Sequence, residues 1–124
     1  MSKRVELRAR YMQGWYELNA EELLATTAEE FIFDDPVEPK PVTRDMLVGY
    51  MHRWHERSRA LGGDNKWVLH HEVRQDKDGL LTDWEWWEVK NTGMCGAAIV
   101  LTSDEGVLSE TITYFDRNIR QAQS

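Results

Sequence analysis

The sequence predicts an α+β fold in which helices precede a curved antiparallel β-sheet. Helical periodicity dominates the first half of the chain, whereas extended runs separated by short turn signals dominate the second half. The 124 residues are enough for one domain with its own core, so we predict a single domain over residues 1–124. A long antiparallel meander that wraps the helices predicts a cone, with a cavity between the helices and the concave side of the sheet.

Three helices are predicted. The first covers residues 4–18, where apolar side chains recur every three or four residues. A short second helix follows Asn19, a residue type that is preferred at helix N-caps. The third helix is predicted over residues 44–61 and ends at a Gly-Gly pair. The apolar stripe of the first helix consists of Leu7, Tyr11, Trp15 and Leu18, and that of the third of Leu47, Tyr50, Met51, Trp54 and Leu61.

The predicted strands follow the same order along the chain. A short aromatic strand, Phe31-Ile32-Phe33, leads into a proline-rich, extended connection before the third helix. Four longer strands are predicted over residues 66–75, 80–90, 94–102 and 107–116, divided by the turn sequences DKDG, NTG and SDEG. Short turns between long strands favour an antiparallel meander.

Composition excludes several classes of partner. The net charge of −7 argues against a nucleic-acid partner, because phosphate binding needs a basic surface. No apolar run approaches the roughly 20 residues that span a bilayer, and the N-terminal segment has no apolar core typical of a signal peptide. The single cysteine, Cys95, gives no intrachain disulfide. We therefore expect a cytoplasmic protein with no membrane or nucleic-acid partner.

Asp35 is the first candidate for chemistry. Alternation along the strand places Phe31, Phe33 and Asp35 on one face, and Pro36 holds the backbone of Asp35 extended. A carboxylate at the edge of an apolar cavity gains proton affinity and becomes a usable general base. The alternative is a turn-opening Asp-Pro pair with a solvated carboxylate.

The histidines give a second candidate. His70 and His71 are adjacent on a predicted strand, so one ring faces the concave side and the other faces away. A histidine that faces Asp35 across the cavity would pair with its carboxylate, and His70 is the candidate for that role. The alternative is a surface histidine. His52 and His55 lie three residues apart on a helix, but no third ligand is evident, so no metal site is expected.

The strand over residues 82–89, TDWEWWEV, has two possible orientations. We favour the one in which Trp84 and Trp86 face inward and line the cavity. In the other, Asp83 or Glu85 enters the pocket as an additional acid, and the indoles belong to a dimer interface. A shift of one residue in register exchanges the two faces.

The order of these elements resembles that of the nuclear-transport-factor-2-like, or SnoaL-like, superfamily. The similar segments are RARYMQGWYELNAEELLATTAEEFIFDDP, TRDMLVGYMHRW and DEGVLSETITYFD, which together span nearly the whole chain. That superfamily includes ketosteroid isomerases, polyketide cyclases, scytalone dehydratase and limonene epoxide hydrolase. The resemblance implies a cystatin-like α+β barrel and a single SnoaL-like domain, and it is specific for the fold rather than for an activity.

Two shorter segments resemble those of the ketosteroid isomerases. ARY at residues 9–11 and DPV at residues 35–37 are similar to the segments that hold the oxyanion tyrosine and the general-base aspartate of those enzymes. The resemblance implies that Asp35 shuttles a proton and that the Tyr11 hydroxyl donates to a developing enolate oxygen. The alternative for Tyr11 is a structural hydrogen bond. A pairing of His70 with Asp35 would resemble scytalone dehydratase.

Ala98 marks a departure from the isomerase pattern. Those isomerases place a second, protonated carboxylic acid at this position, and the loss of such a donor costs about 10²–10³ in rate. We therefore expect a pocket for a small apolar molecule, with cofactor-independent isomerisation, cyclisation or dehydration, rather than a steroid isomerase. The predicted substrate-binding residues are Trp15, Phe33, Tyr50, Trp54, Trp84 and Ala98.

Two alternatives to the enzyme remain open at this point. The first is a non-catalytic ligand-binding module of the same fold, and the second is a dimeric assembly module. In each case the resemblance implies a homodimer that forms through the sheet face.

Overall fold

The helices and strands follow the predicted order in the computed structural model, which describes residues 2–63 and 67–115. The helices are α1 (Lys3–Glu17), α2 (Ala20–Thr26) and α3 (Leu47–Ala60), the last preceded by a 3₁₀ turn (Arg44–Met46). The strands are β1 (Thr27–Asp34), β2 (Val42–Thr43), β3 (Trp67–Lys77), β4 (Leu80–Val89), β5 (Met94–Ser103) and β6 (Gly106–Tyr114). The predicted α+β class is confirmed; residues 66 and 116 of the predicted strands lie outside the described residues.

Side-chain caps set the limits of the first two helices. The Ser2 hydroxyl accepts a hydrogen bond from the Val5 N–H at 3.3 Å and starts α1. Leu18 ends this helix in the left-handed region, with φ of 55°. The Asn19 side chain then accepts from the Glu22 N–H at 3.2 Å, as predicted, and starts α2. The chain therefore passes from one helix to the next within two residues.

The six strands form one curved, unclosed sheet in the order β2-β1-β6-β5-β4-β3. Strands β3 to β6 form the predicted antiparallel meander. One pairing departs from the antiparallel pattern of the predicted sheet: β1 pairs with β6 in parallel, with Phe33 opposite Glu110. A helix and four strands separate β1 from β6 in sequence, so no hairpin turn fixes their relative direction.

The tight turns of the meander follow the turn sequences. Asp78 and Gly79 join β3 to β4 as a two-residue loop, with φ of 54° and 79°. Positive φ at both central residues is typical of a type I′ turn, whose twist matches that of the paired strands. Asn91 and Gly93 occupy the left-handed region between β4 and β5.

The core lies between the helices and one face of the sheet, which we call the inner face. Helices α1 and α3 and strand β1 contribute most of its aromatic side chains. The buried aromatic residues are Tyr11, Trp15, Phe31, Phe33, Tyr50, Trp54 and Trp87. No helix in residues 2–63 and 67–115 has the length and apolar character needed to cross a membrane.

Strand β4 has the orientation opposite to the one that we favoured from sequence. Trp84 and Trp86 are 46% and 38% exposed on the outer face, whereas Asp83, Glu85 and Trp87 are buried on the inner face. Two buried acids would ordinarily be costly. They are tolerated here because Arg8 of α1 supplies a positive charge directly opposite them.

Candidate functional site

A pocket opens between α1 and the inner face of the sheet. Its volume is about 70 Å³, counted as the space that the centre of a water molecule can occupy. The apolar wall consists of Met12, Trp15, Phe33, Trp54, Trp67, Leu69, Trp87, Ala98 and Ile112. Four polar side chains, Arg8, Tyr11, Glu85 and Glu110, complete the lining. This combination of aromatic walls and a few ionisable groups is typical of small-molecule sites.

Arg8 is the buried cation of the pocket. It lies on the inward stripe of α1, is only 3% exposed, and forms an ion pair with Glu85. Its Nε lies 3.2 Å from Oδ2 of Asp83. Arg74 of β3 donates to the other oxygen of Asp83 from Nε at 2.6 Å. Each buried acid of β4 therefore has a guanidinium partner, which offsets the loss of its hydration.

Tyr11 and Glu110 form the second polar contact of the pocket. The Tyr11 hydroxyl donates to Oε1 of Glu110 at 2.7 Å. Burial raises the pKa of Glu110, although the charge of Arg8 and the bond from Tyr11 oppose this rise. Burial and the Glu110 charge raise the pKa of Tyr11 well above its ordinary value, so the tyrosine remains a donor. Glu110 is therefore a carboxyl group with increased proton affinity inside an apolar pocket.

Asp35 belongs to a separate buried cluster. It is 6% exposed, and its Oδ2 accepts from the hydroxyls of Tyr50 at 2.6 Å and Tyr114 at 2.9 Å. Its other oxygen accepts from the Val37 N–H at 3.0 Å, and Arg57 Nη1 lies 3.7 Å from Oδ2. Burial, together with the charge of Asp35, raises the pKa of both tyrosines. The carboxylate is neither a solvated turn residue nor a lining residue of the pocket.

The structure brings together five of the predicted site residues. Tyr11, Trp15, Phe33, Trp54 and Ala98 all line the pocket. Asp35 and Tyr50 lie behind its wall: the Tyr50 ring packs against Phe33 and Trp15, with centroids 4.8 and 5.8 Å apart. Trp84 lies on the outer face, away from these seven.

Neither histidine of β3 reaches the pocket. His70 is 56% exposed, with Nε2 2.7 Å from Oε1 of Glu88, and the His71 ring packs against Trp86 of the outer face. The expectation that one of the two rings faces the concave side is wrong. Strand β3 carries a bulge between residues 69 and 71, which interrupts the alternation that the expectation assumed.

Arg8 and Glu110 are polar lining residues that the sequence interpretation missed, and Glu85 entered the pocket only in the orientation of residues 82–89 that we did not favour. Periodicity contained a signal for each of them. Arg8 lies three residues before Tyr11 on the same helix stripe, and Glu85 and Glu110 alternate with Trp87 and Ile112. Periodicity alone does not place a charged residue in a pocket, because burial of a charge is costly unless a partner is present.

Two further observations bear on what the pocket can hold. Trp87 Nε1 is buried and has no hydrogen-bond partner within residues 2–63 and 67–115, and Trp87 lines the pocket. In the same part of the chain, no three His, Cys, Asp or Glu side chains are placed to hold one metal ion.

Comparison with known proteins gives matches at the level of structure. No family model and no curated protein matches the sequence. A candidate SnoaL-like polyketide cyclase from Shewanella putrefaciens is 14% identical, with a TM-score of 0.67, and the match covers 99% of this chain and 96% of that one.

Two further solved structures extend this result. An NTF2-like protein from Cytophaga hutchinsonii is 10% identical, with a TM-score of 0.68 and coverage of 90% of this chain and 94% of that one. A candidate ketosteroid isomerase from Kribbella flavida is 16% identical, with a TM-score of 0.60 and coverage of 90% and 76%. Other similar structures are described as having a cystatin-like fold. The chain therefore has the nuclear-transport-factor-2-like, or SnoaL-like, fold that its sequence resembles.

Proposed function

We propose that the pocket binds a small, largely apolar molecule and that Glu110 exchanges a proton with it. The observation that carries this proposal is a carboxyl of raised pKa, hydrogen-bonded to Tyr11, within an aromatic pocket. Solved structures of the same fold are described as a candidate polyketide cyclase and a candidate ketosteroid isomerase, which supports a ligand-binding or isomerase-type role.

Proton exchange at Glu110 needs no further reactant. The ionised carboxylate takes a proton from one atom of the bound molecule and returns it to another, so the reaction is an isomerisation or a proton-assisted cyclisation or dehydration. A general base is most useful when its pKa lies near the working pH, and burial moves Glu110 in that direction. Tyr11 and Arg8 favour the ionised form, because one donates a hydrogen bond and the other is positively charged.

The apolar wall supplies binding and excludes water. Tryptophan and phenylalanine side chains dominate it, so a flat or bulky apolar body has large surfaces to contact. The free N–H of Trp87 is available to an acceptor atom on the ligand. We retain a cofactor-independent reaction and a cytoplasmic location as predictions.

The general-base role of Asp35 remains a prediction, and the geometry favours Glu110 for it. Three protein donors already bind the Asp35 oxygens, and the residue lies outside the wall of the pocket. In contrast, one protein hydroxyl binds Glu110, which lines the pocket directly.

Paired substitutions separate the two carboxylates. Once a converted substrate is identified by screening small apolar ketones, lactones and hydroxylated aromatics, Glu110→Gln should lower kcat by about 10²–10⁴ with little change in ligand binding. Glu88→Gln removes an equal charge from the exposed outer face and should leave kcat unchanged.

The outcome that would reject the Glu110 assignment is equally clear. It is full turnover by Glu110→Gln together with loss of turnover, at unchanged stability, in Asp35→Asn. Ligand binding without turnover by the wild-type protein would instead support the non-catalytic binding module.

A further inference from the structure

The charges around the pocket do not balance. Two guanidinium groups, those of Arg8 and Arg74, face three carboxylates, those of Asp83, Glu85 and Glu110. When all of them are ionised, the cluster carries one negative charge. An anionic ligand would therefore meet a net negative charge in a site that screens it poorly.

Both cations of this cluster are already paired. Arg8 contacts Asp83 and Glu85, and Arg74 contacts Asp83 from the partly exposed side of the strand. Within residues 2–63 and 67–115, Arg8 is the one lysine or arginine that lines the pocket. Among the described residues, the Tyr11 hydroxyl is the hydrogen-bond donor to Glu110, which has no guanidinium within ion-pair distance there, so this carboxylate has capacity to accept further donors.

The aromatic walls of the pocket also favour a positively charged ligand. Four of the lining residues are tryptophans: Trp15, Trp54, Trp67 and Trp87. The face of an indole attracts cations, and this attraction is strongest when the cation is desolvated. Aromatic walls and an excess carboxylate together are the features that recognise organic ammonium groups.

We infer that the ligand of this pocket is a small organic cation: a protonated amine on an apolar body, with its ammonium group at Glu110 and its body against the tryptophan walls. The inference rests on the proposed function, because it names the ligand class of the same pocket. In this arrangement the proton that Glu110 exchanges is one on the ammonium nitrogen: the ionised carboxylate takes it and returns it to the same atom, with no further reactant.

Binding of such a cation should release a proton. The groups that face Glu110 are Tyr11 and Arg8 from α1, Glu85 from β4 and Tyr50 from α3. Burial holds the pKa of Glu110 above its ordinary value, and an ammonium ligand favours the ionised form, so binding opposes protonation of Glu110. Amine affinity should therefore rise with pH through the pKa of Glu110, whereas the affinity of a neutral analogue should stay constant.

A matched ligand series tests the inference by isothermal titration calorimetry. Benzylamine, benzyl alcohol and benzoate share one body and differ in charge, and the same three head groups on cyclohexyl and naphthyl bodies guard against a poor shape match. We expect the amine to bind at least about tenfold more tightly than the alcohol, which corresponds to 1.4 kcal/mol, and the carboxylate to bind most weakly.

Two variants test whether the preference for amines arises from Glu110 in the pocket. Glu110→Gln should reduce amine binding to the level of the alcohol and leave alcohol binding unchanged, which also shows that the pocket is intact. Glu88→Gln removes the same charge from the outer face and should retain the preference for the amine. If Glu110→Gln does not fold, proton release by the wild-type protein, measured in two buffers of different ionisation enthalpy, decides instead.

Two results separate failure of the inference from failure of the proposed function. If the alcohols bind as tightly as the amines, or if amine binding releases no proton and is independent of pH, the ligand is not a cation and the apolar pocket still stands. If no member of the series binds on any of the three bodies, both the inference and the proposed function are overturned.

Discussion

At the residue scale, Glu110 links the stability of the fold to pH. A carboxyl whose pKa is raised by folding stabilises the protein when it is protonated, and this contribution is lost as pH rises from its ordinary value of 4.5 through the raised value. Glu110→Gln mimics the protonated side chain at every pH. We expect the free energy of unfolding of the wild type, relative to this variant, to fall as pH rises, by up to about 1.4 kcal/mol per pH unit within that window.

Urea denaturation of both proteins at intervals from pH 4 to pH 8 measures this difference. The difference between the two proteins removes the contributions of the other titrating groups to the pH dependence, because both proteins share those groups. A difference that is constant across the range, or that grows with pH, would show that folding does not raise the proton affinity of Glu110.

At the element scale, the glycines of α3 and β5 predict opposite effects of the same substitution. A Cβ at Gly96 of β5 would lie 1.7 Å from the backbone oxygen of Thr113 on β6, so Gly96→Ala must push two paired strands apart. We expect it to destabilise the fold by about 1–3 kcal/mol or more. A Cβ at Gly49 of α3 meets only Arg53 Nη1 at 3.5 Å, so Gly49→Ala should stabilise by about 0.5–1 kcal/mol.

Thermal and urea unfolding of the two single variants test this contrast directly. Ligand binding should weaken in Gly96→Ala as well, because β6 carries Glu110 and Ile112 into the pocket. Equal stability of Gly96→Ala and the wild type would mean that β5 and β6 lie farther apart than the structure places them.

The elements themselves were predictable, whereas their faces and partners were less so. Helix periodicity placed Tyr11 and Trp15 correctly because one face of α1 is buried along its whole length. The orientation of β4 depends on a charge that α1 supplies from far away in sequence, so alternation alone left both faces possible. The bulge in β3 and the parallel pairing of β1 with β6 are likewise set by tertiary contacts rather than by local pattern.

The candidate site was predictable only in part, because periodicity reports apolar faces but not the tertiary partners of charged residues. The aromatic wall follows from apolar periodicity, which sequence reports well. Glu110 and Arg8 were missed because a charged residue is normally assigned to solvent, and only the assembled structure provides the partners that make its burial acceptable. The sequence left open whether Asp35 faces a cavity or water; the structure buries it beside the hydroxyls of Tyr50 and Tyr114 and not beside His70, and its role stays a prediction.

At the scale of the whole molecule, we propose the outer face of β3 and β4 as the surface for the predicted homodimer. It exposes the large apolar side chains of Val68, Val73, Trp84 and Trp86. Exposed apolar patches of this kind are typical of association surfaces. Since the dimer remains a prediction, we propose Trp84→Lys combined with Trp86→Lys, which should convert a dimer to a monomer in sedimentation velocity experiments and leave ligand binding in the pocket intact.

A control for this double variant is Val37→Lys, which places a charge at another exposed apolar residue, in the loop before α3. It should not change the oligomeric state. A wild-type protein that sediments as a monomer at all accessible concentrations would reject the dimer.

The position of β6 in the sheet has a consequence for how the protein comes to be made. This strand follows all the other described elements in the chain, yet it lies in the interior of the sheet, between β1 and β5. During synthesis, β1 therefore has no β6 to pair with until β6 has been translated. Loops that close over such long separations slow folding. The pocket is therefore incomplete until β6 is made, because a chain that stops before this strand lacks Glu110 and Ile112.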